Sequence, residues 1–249
     1  MNYSATCKQI LRSQAAPPST FITQRVMQQH NLVEENIPAV ISQLRTDHQV
    51  PVLSKCFDGG QCRVFKVDFA DGDSWAVRVP LFVRNSSRET ILYLVESEAS
   101  IIQALETKGF QWAAKLRGCS RTFDNLVGYP FLALTWIPGS PLLWSDNFPA
   151  RPLRDKVLNQ VAGIHASLIE CTQETRAAAI DHYTRIIHNK IRRVCSGQLP
   201  EITEQECSDQ LALLPGVLMP ELESAPFAMD HGDLSSQNIM IDAQHNVTG

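Results

Sequence analysis

Residues 54–80, SKCFDGGQCRVFKVDFADGDSWAVRVP, constrain the fold more than any other stretch of this 249-residue chain. Val64, Val67 and Phe69 form one alternating apolar run, and Trp75, Val77 and Val79 form a second. Alternation at period two is the pattern of a strand with one buried face. Glycine turns bound the runs, Asp58-Gly59-Gly60 before the first and Asp71-Gly72-Asp73 between them. Two antiparallel strands joined by a hairpin are therefore predicted.

A long helix is predicted next, over residues 87–108. Ser86 and Glu89 make a capping-box pattern ahead of it, and Gly109 ends it. At about 100° per residue, Ile91, Leu94, Val95, Ile101, Ile102 and Leu105 share one face. Glu98 falls in the middle of that face, whereas Glu89 and Glu96 lie opposite. An ionised carboxylate in an apolar stripe is costly unless a cation meets it. Either the stripe reaches solvent at Glu98, or Glu98 has a basic partner. Arg78, on the second strand, is the expected one.

Elsewhere the pattern is plainer. Residues 19–49 carry apolar residues at helical spacing (Phe21, Val26, Ile37, Val40, Ile41, Leu44) and read as two helices of an N-terminal extension. Residues 131–137 form an apolar strand stopped by Pro138-Gly139. After Pro152 an amphipathic helix carries Leu153, Val157, Val161, Ile164 and Leu168, with His165 on its flank as a core histidine rather than a catalytic one. Residues 173–225 read as helices with loops.

Composition narrows the class. Apolar residues make up 44% and charged residues 19%, the balance of a globular protein. A net charge of −4 offers no electrostatic footprint for nucleic acid, and no basic cluster suits a membrane surface. The N-terminal residues lack the apolar core of a signal peptide, and no apolar run is long enough to span a bilayer. Seven cysteines, an odd number without a C-x-x-C pair, fit reduced thiols in a cytoplasmic protein better than a disulfide framework or a zinc site.

The chemistry gathers in HGDLSSQNIMID, residues 231–242, where Asn238 follows Asp233 by five positions ahead of an apolar run. Phosphoryl transfer needs a carboxylate for the proton of the attacking hydroxyl, oxygen ligands for magnesium and a charge clamp on the phosphates. An Asp and an Asn at this spacing, on a loop leading into a strand, supply the first and part of the second. Alone, the motif could also be a turn with an Asx cap. Upstream, however, stand a glycine turn at Gly59 and Gly60 that could present N–H groups to phosphates, then the Arg78 cation, then Glu98 on the helix. Their order is that of a nucleotide site.

These segments resemble the aminoglycoside phosphotransferase family, relatives of choline kinase and the protein kinases. HGDLSSQNIMID looks like its catalytic loop, FLALTWIPG its hinge, SWAVRVP its third strand and VESEASIIQALETKG its first large helix. The resemblance covers residues 51–249. It implies an α+β, two-lobed kinase-like fold: after the helical extension read from periodicity over residues 1–50, a small antiparallel lobe over 51–135, and a hinge with a mainly helical lobe over 136–249. It further implies ATP-dependent phosphorylation of a hydroxyl on a small-molecule acceptor, with magnesium. By motif position Asp233 would be the base and Asn238 a magnesium ligand, with Gly59, Gly60, Arg78 and Glu98 on the phosphate side. Backbone at Thr135 and Ile137 would hold the adenine.

The chain departs from the family in two places. Arg78 stands where the family has Lys, and a guanidinium fork is not equivalent to an ammonium. The family also places its principal magnesium aspartate on a second strand after the Asn, and IMIDAQHNVTG ends before such a residue. The expectation is a C-terminally truncated member, impaired in catalysis, whose last strand lacks its full hairpin partner. The alternative is a non-catalytic, pseudokinase-like nucleotide-binding or regulatory protein. A protein kinase is disfavoured by H-G-D in place of H-R-D and by the missing D-F-G and A-P-E segments.

Overall fold

The computed structural model describes residues 32–59, 61–80, 87–222 and 224–249. The fold is α+β, built on a five-stranded antiparallel sheet with five α-helices among the described residues. In chain order these are α1 (Ile37–Leu44), β1 (Val52–Asp58), β2 (Cys62–Asp68), β3 (Ser74–Pro80), α2 (Arg88–Thr107), β4 (Leu116–Ser120) and β5 (Phe131–Thr135). Then follow β6 (Ser140–Pro141), α3 (Arg151–Cys171), α4 (Arg176–Cys195), α5 (Glu204–Val217) and β7 (Met240–Ile241). The large sheet runs β1-β2-β3-β5-β4, and β6 pairs with β7 in a second, two-stranded sheet.

The predicted hairpin is β2–β3, in unbroken register from Cys62↔Pro80 to Asp68↔Ser74. Its alternation feeds two cores. Phe65, Val67, Phe69, Trp75, Val77 and Val79 pack with Phe131 and Ala133 beneath Ile37 and Ile41 of α1. On the opposite face Ala76, Leu132 and Leu134 meet Val95 and Ala99 of α2. The N-terminal extension thus covers the first core, through Ile37 and Ile41. Arg45, just after α1, secures it, bonding Asp47 and Asp71 and lying 4.2 Å from the Phe69 ring centroid.

Several expectations change. The first helix expected within residues 19–49 lies outside the described residues, as do Gly60 and Ser86. The N-cap of α2 is Ser87, whose hydroxyl accepts from the Thr90 N–H, so the capping pattern is displaced by one residue. The buried line of α2 is Ile91, Val95 and Ala99, while Leu94 and Ile101 are exposed. Helix α2 touches the sheet along one ridge of i, i+4 positions rather than over a broad stripe. Strands β1 and β4 were not anticipated. β1 is an exposed edge with little alternation, and β4 is interrupted by Gly118, where a Cβ would stand 2.8 Å from a Leu44 methyl. Strand β5 stops at Thr135 rather than Ile137.

The C-terminal segment is also better paired than expected. A 3₁₀ turn over Ser236–Asn238 precedes β7. Met240 N–H donates to Gly249, Thr248 N–H to Met240, and Asp242 N–H to Asn246. β7 therefore has β6 on one side and the chain's last residues on the other, and Ile241 and Val247 pack with Leu142 and Val157 in a third core. The expectation of a half-unpaired strand is corrected.

Gly139 makes this arrangement possible. Its φ is +117°, and a Cβ there would stand 2.4 Å from the Ile241 carbonyl oxygen. The obstacle is backbone and cannot swing away. Gly139→Ala is expected to destabilise the protein by about 1–3 kcal/mol through overpacking, before any cost of the positive φ. Denaturant unfolding measures it, and an unchanged midpoint would contradict the close approach.

Candidate active site

Strand β3 and helix α2 bring Arg78 and Glu98 together. Alternation turns Arg78 toward α2, and the Arg78 Nη1–Glu98 Oε1 distance is 2.6 Å. The expected ion pair is present, and Glu96 points outward, 3.5 Å from Arg121. The two side chains keep 39% and 33% of their exposure, so the pair is open to solvent on one side. Screening then limits what it adds to stability. Burial pushes the Glu98 carboxyl above its ordinary range, and the Arg78 charge works against that shift.

At the glycine turn, the Gly59 N–H donates to the Cys62 carbonyl at 2.9 Å. A Cβ at Gly59 would stand 3.0 Å from the same oxygen, so the turn favours glycine there. That N–H is engaged within the hairpin, and Gly60 lies outside the described residues.

The two positions expected at the hinge, Thr135 and Ile137, differ. The Thr135 N–H donates to the Lys115 carbonyl, and its hydroxyl accepts from the Lys115 N–H, both at 2.9 Å. Trp136 N–H donates to Ser74 O at 3.1 Å. Among the described residues no hydrogen-bond partner takes the Ile137 N–H or carbonyl. Backbone capacity for a ligand is therefore at Ile137, and the Thr135 N–H is already in use.

The HGD loop is anchored from behind. Thr172, buried at the end of α3, donates its hydroxyl proton to Leu168 O and accepts from the Met229 N–H. Glu174 and Phe227 exchange backbone hydrogen bonds. His165 is not a core histidine: it is about one-third exposed, with Nε2 3.6 Å from Asp230 Oδ1. Gly232 takes φ +71°, which turns the chain into Asp233. Asn238 Nδ2 then donates to Asp233 O at 2.8 Å and to Asp233 Oδ2 at 3.0 Å.

That double contact orients the amide. With Nδ2 facing two acceptors, Asn238 Oδ1 turns away from Asp233 and is left for another partner. An amide oxygen beside a carboxylate is the hard-oxygen chemistry that magnesium prefers. Among the described residues no group of three or more His, Cys, Asp or Glu side chains gathers to hold a metal. Magnesium here would rely on Asn238, on water and on phosphate oxygens.

Two side-chain contacts tie the sheet half to the helical half, and the sequence did not flag either. Lys108 Nζ lies 2.5 Å from Glu174 Oε1, and Thr90 Oγ1 donates to Gln198 Oε1 at 3.0 Å. They hold opposite ends of α2, which carries Glu98 at mid-length. No local pattern marks them, because each joins residues far apart in sequence.

No protein-family model matches the chain, and no curated protein matches it. Solved structures do resemble it. One is an aminoglycoside phosphotransferase from Alicyclobacillus acidocaldarius subsp. acidocaldarius DSM 446, at 14% identity and a TM-score of 0.41. The match covers 79% of this chain and 60% of that one. A macrolide 2'-phosphotransferase type I aligns at 16% identity and a TM-score of 0.42, over 88% of this chain and 71% of its own. The GDP and kanamycin complex of APH(2")-IIia aligns at 13% and 0.38, over 91% and 69%. At such values the functional reading rests on this chain's own residues. No helix among the described residues is long and apolar enough to cross a membrane.

The Glu98 carboxyl supplies a titration test. A carboxyl whose folded pKa is raised contributes stability below its unfolded pKa, and that contribution is lost as pH rises through the folded value. Arg78→Ala removes the opposing charge, so the Glu98 midpoint should move further up, and stability should fall more steeply from acid toward neutral pH. Carboxyl-resolved NMR titration with thermal melts measures both. An unmoved midpoint would contradict the coupling.

Proposed function

We propose that this chain is a kinase-like phosphotransferase that uses ATP and magnesium to phosphorylate a hydroxyl on a small molecule. The observations that carry the proposal are two contacts, Arg78 against Glu98 and Asn238 against Asp233. Those are the charge clamp and the base–metal loop that phosphoryl transfer needs.

In this reading Asp233 accepts the proton of the attacking hydroxyl through a carboxylate that one Asn238 N–H holds in orientation. Arg78, positioned by Glu98, meets the phosphates beside the glycine turn of Gly59 and Gly60. Ile137 offers the adenine a backbone donor and acceptor, and Thr135 shapes the hinge through its bonds to Lys115. Asn238 Oδ1 would be the protein's ligand to magnesium, which would supply charge neutralisation at the phosphates. The free thiols suit a cytoplasmic setting.

A second reading, a nucleotide-binding regulatory protein without turnover, follows from the single side-chain metal ligand that Asn238 provides. Measuring ATP binding and ATP turnover against a panel of amino sugars, amines and alcohols separates the two. In any form of the protein that turns over ATP, Asp233→Asn should lower the rate by about 10²–10⁴, the usual worth of a general base, with ATP binding retained. Binding without turnover supports the regulatory reading, and no binding overturns both.

A further inference from the structure

The face of the sheet that carries Arg78 is only half covered by α2. Helix α2 reaches Ala76, Leu132, Leu134 and Leu116, on β3, β5 and β4. Over β1 and β2 the same face presents Phe57, Val64 and Lys66, with Phe57 45% exposed. Phe57 stands opposite Val64, which stands opposite Arg78, and Lys66 stands opposite Ala76.

Two aromatic rings close over this open half. Phe57 and Trp136 stack with centroids 5.8 Å apart and planes at 29°, and the Lys66 ammonium lies 5.4 Å from the Trp136 ring. Phe57 belongs to β1 and Trp136 follows β5, with β2 and β3 between them. Adjacent strands are about 4.8 Å apart, so rings rooted three strands apart touch only by leaning together across the sheet. They lean over the part of this face that carries Lys66.

Resting on the proposal that this face receives ATP, we infer that Phe57 and Trp136 form a plug in the base subsite. Phe57 covers the face of Trp136 that the purine takes when it binds. Rings already in contact leave no space for a third between them, so the base and Phe57 compete for one aromatic surface. Phe57 is the ring that moves. It lies on an edge strand beside the glycine turn, whereas Trp136 is held by its N–H bond to Ser74 and by Lys66, itself paired to Asp68 at 2.5 Å.

The plug lowers apparent ATP affinity by the fraction of molecules in which it is closed. ATP titration by calorimetry on the full chain, Phe57→Ala, Phe57→Leu and Trp136→Ala tests it, with thermal melts confirming that each is folded. Phe57→Ala should bind ATP about two- to tenfold more tightly, the range an aromatic pair commands, and Phe57→Leu should shift the same way. Trp136→Ala, which removes plug and platform together, should not tighten binding. ATP binding by the wild type with equal or weaker binding by both Phe57 variants would overturn the plug and leave the nucleotide reading standing. Absence of ATP binding to every folded form would overturn the nucleotide reading and the plug with it.

Discussion

Alternation along Ser74–Pro80 sends Trp75, Val77 and Val79 to one side of the sheet and Ala76 and Arg78 to the other. A strand inside a sheet needs cover on both faces, and this chain provides it from opposite directions in sequence. Helix α1 closes the first face with Ile37 and Ile41. Helix α2 closes part of the second with Val95 and Ala99. A cation on the second face would be stranded under α2 if the helix carried only apolar residues there. Glu98 removes that penalty, and because both groups remain partly exposed, Arg78 keeps capacity for an anion.

The position of α2 then links the two halves of the molecule. One end is tied through Thr90 to Gln198, the other through Lys108 to Glu174. Glu174 is backbone-paired with Phe227, six residues ahead of Asp233. A contiguous set of contacts thus runs from the Arg78–Glu98 pair to the HGD loop. On the other side of that loop, β7 is held between β6 and the final residues, with Gly139 allowing the chain after β5 to approach Ile241.

Much of this was legible in the sequence, for identifiable reasons. The β2–β3 hairpin and α2 announce themselves through period and turn chemistry, and Glu98 in an apolar setting demanded a cation. The HGD loop carries its own spacing. The edge strand β1 was not legible, since exposure on both faces erases alternation. Nor was β4, where Gly118 is present to admit Leu44 rather than to end a strand. Leu94 and Ile101 mislead because a hydrophobic residue on a helix marks only what could be buried, while the single ridge that meets the sheet decides what is. The stacking of Phe57 on Trp136, and the engagement of Thr135 with Lys115, depend on contacts between distant strands that no local pattern records.

The central claim is that the glycine turn with Arg78 and the HGD loop with Asn238 serve one nucleotide. Hydrogen exchange at backbone amides, with and without magnesium and a non-hydrolysable ATP analogue, tests it most directly. The account predicts coincident protection of residues 57–64, of Ile137 and of residues 232–239, at the same nucleotide concentration. Protection confined to one of these segments, or appearing only on α4 and α5, would contradict it.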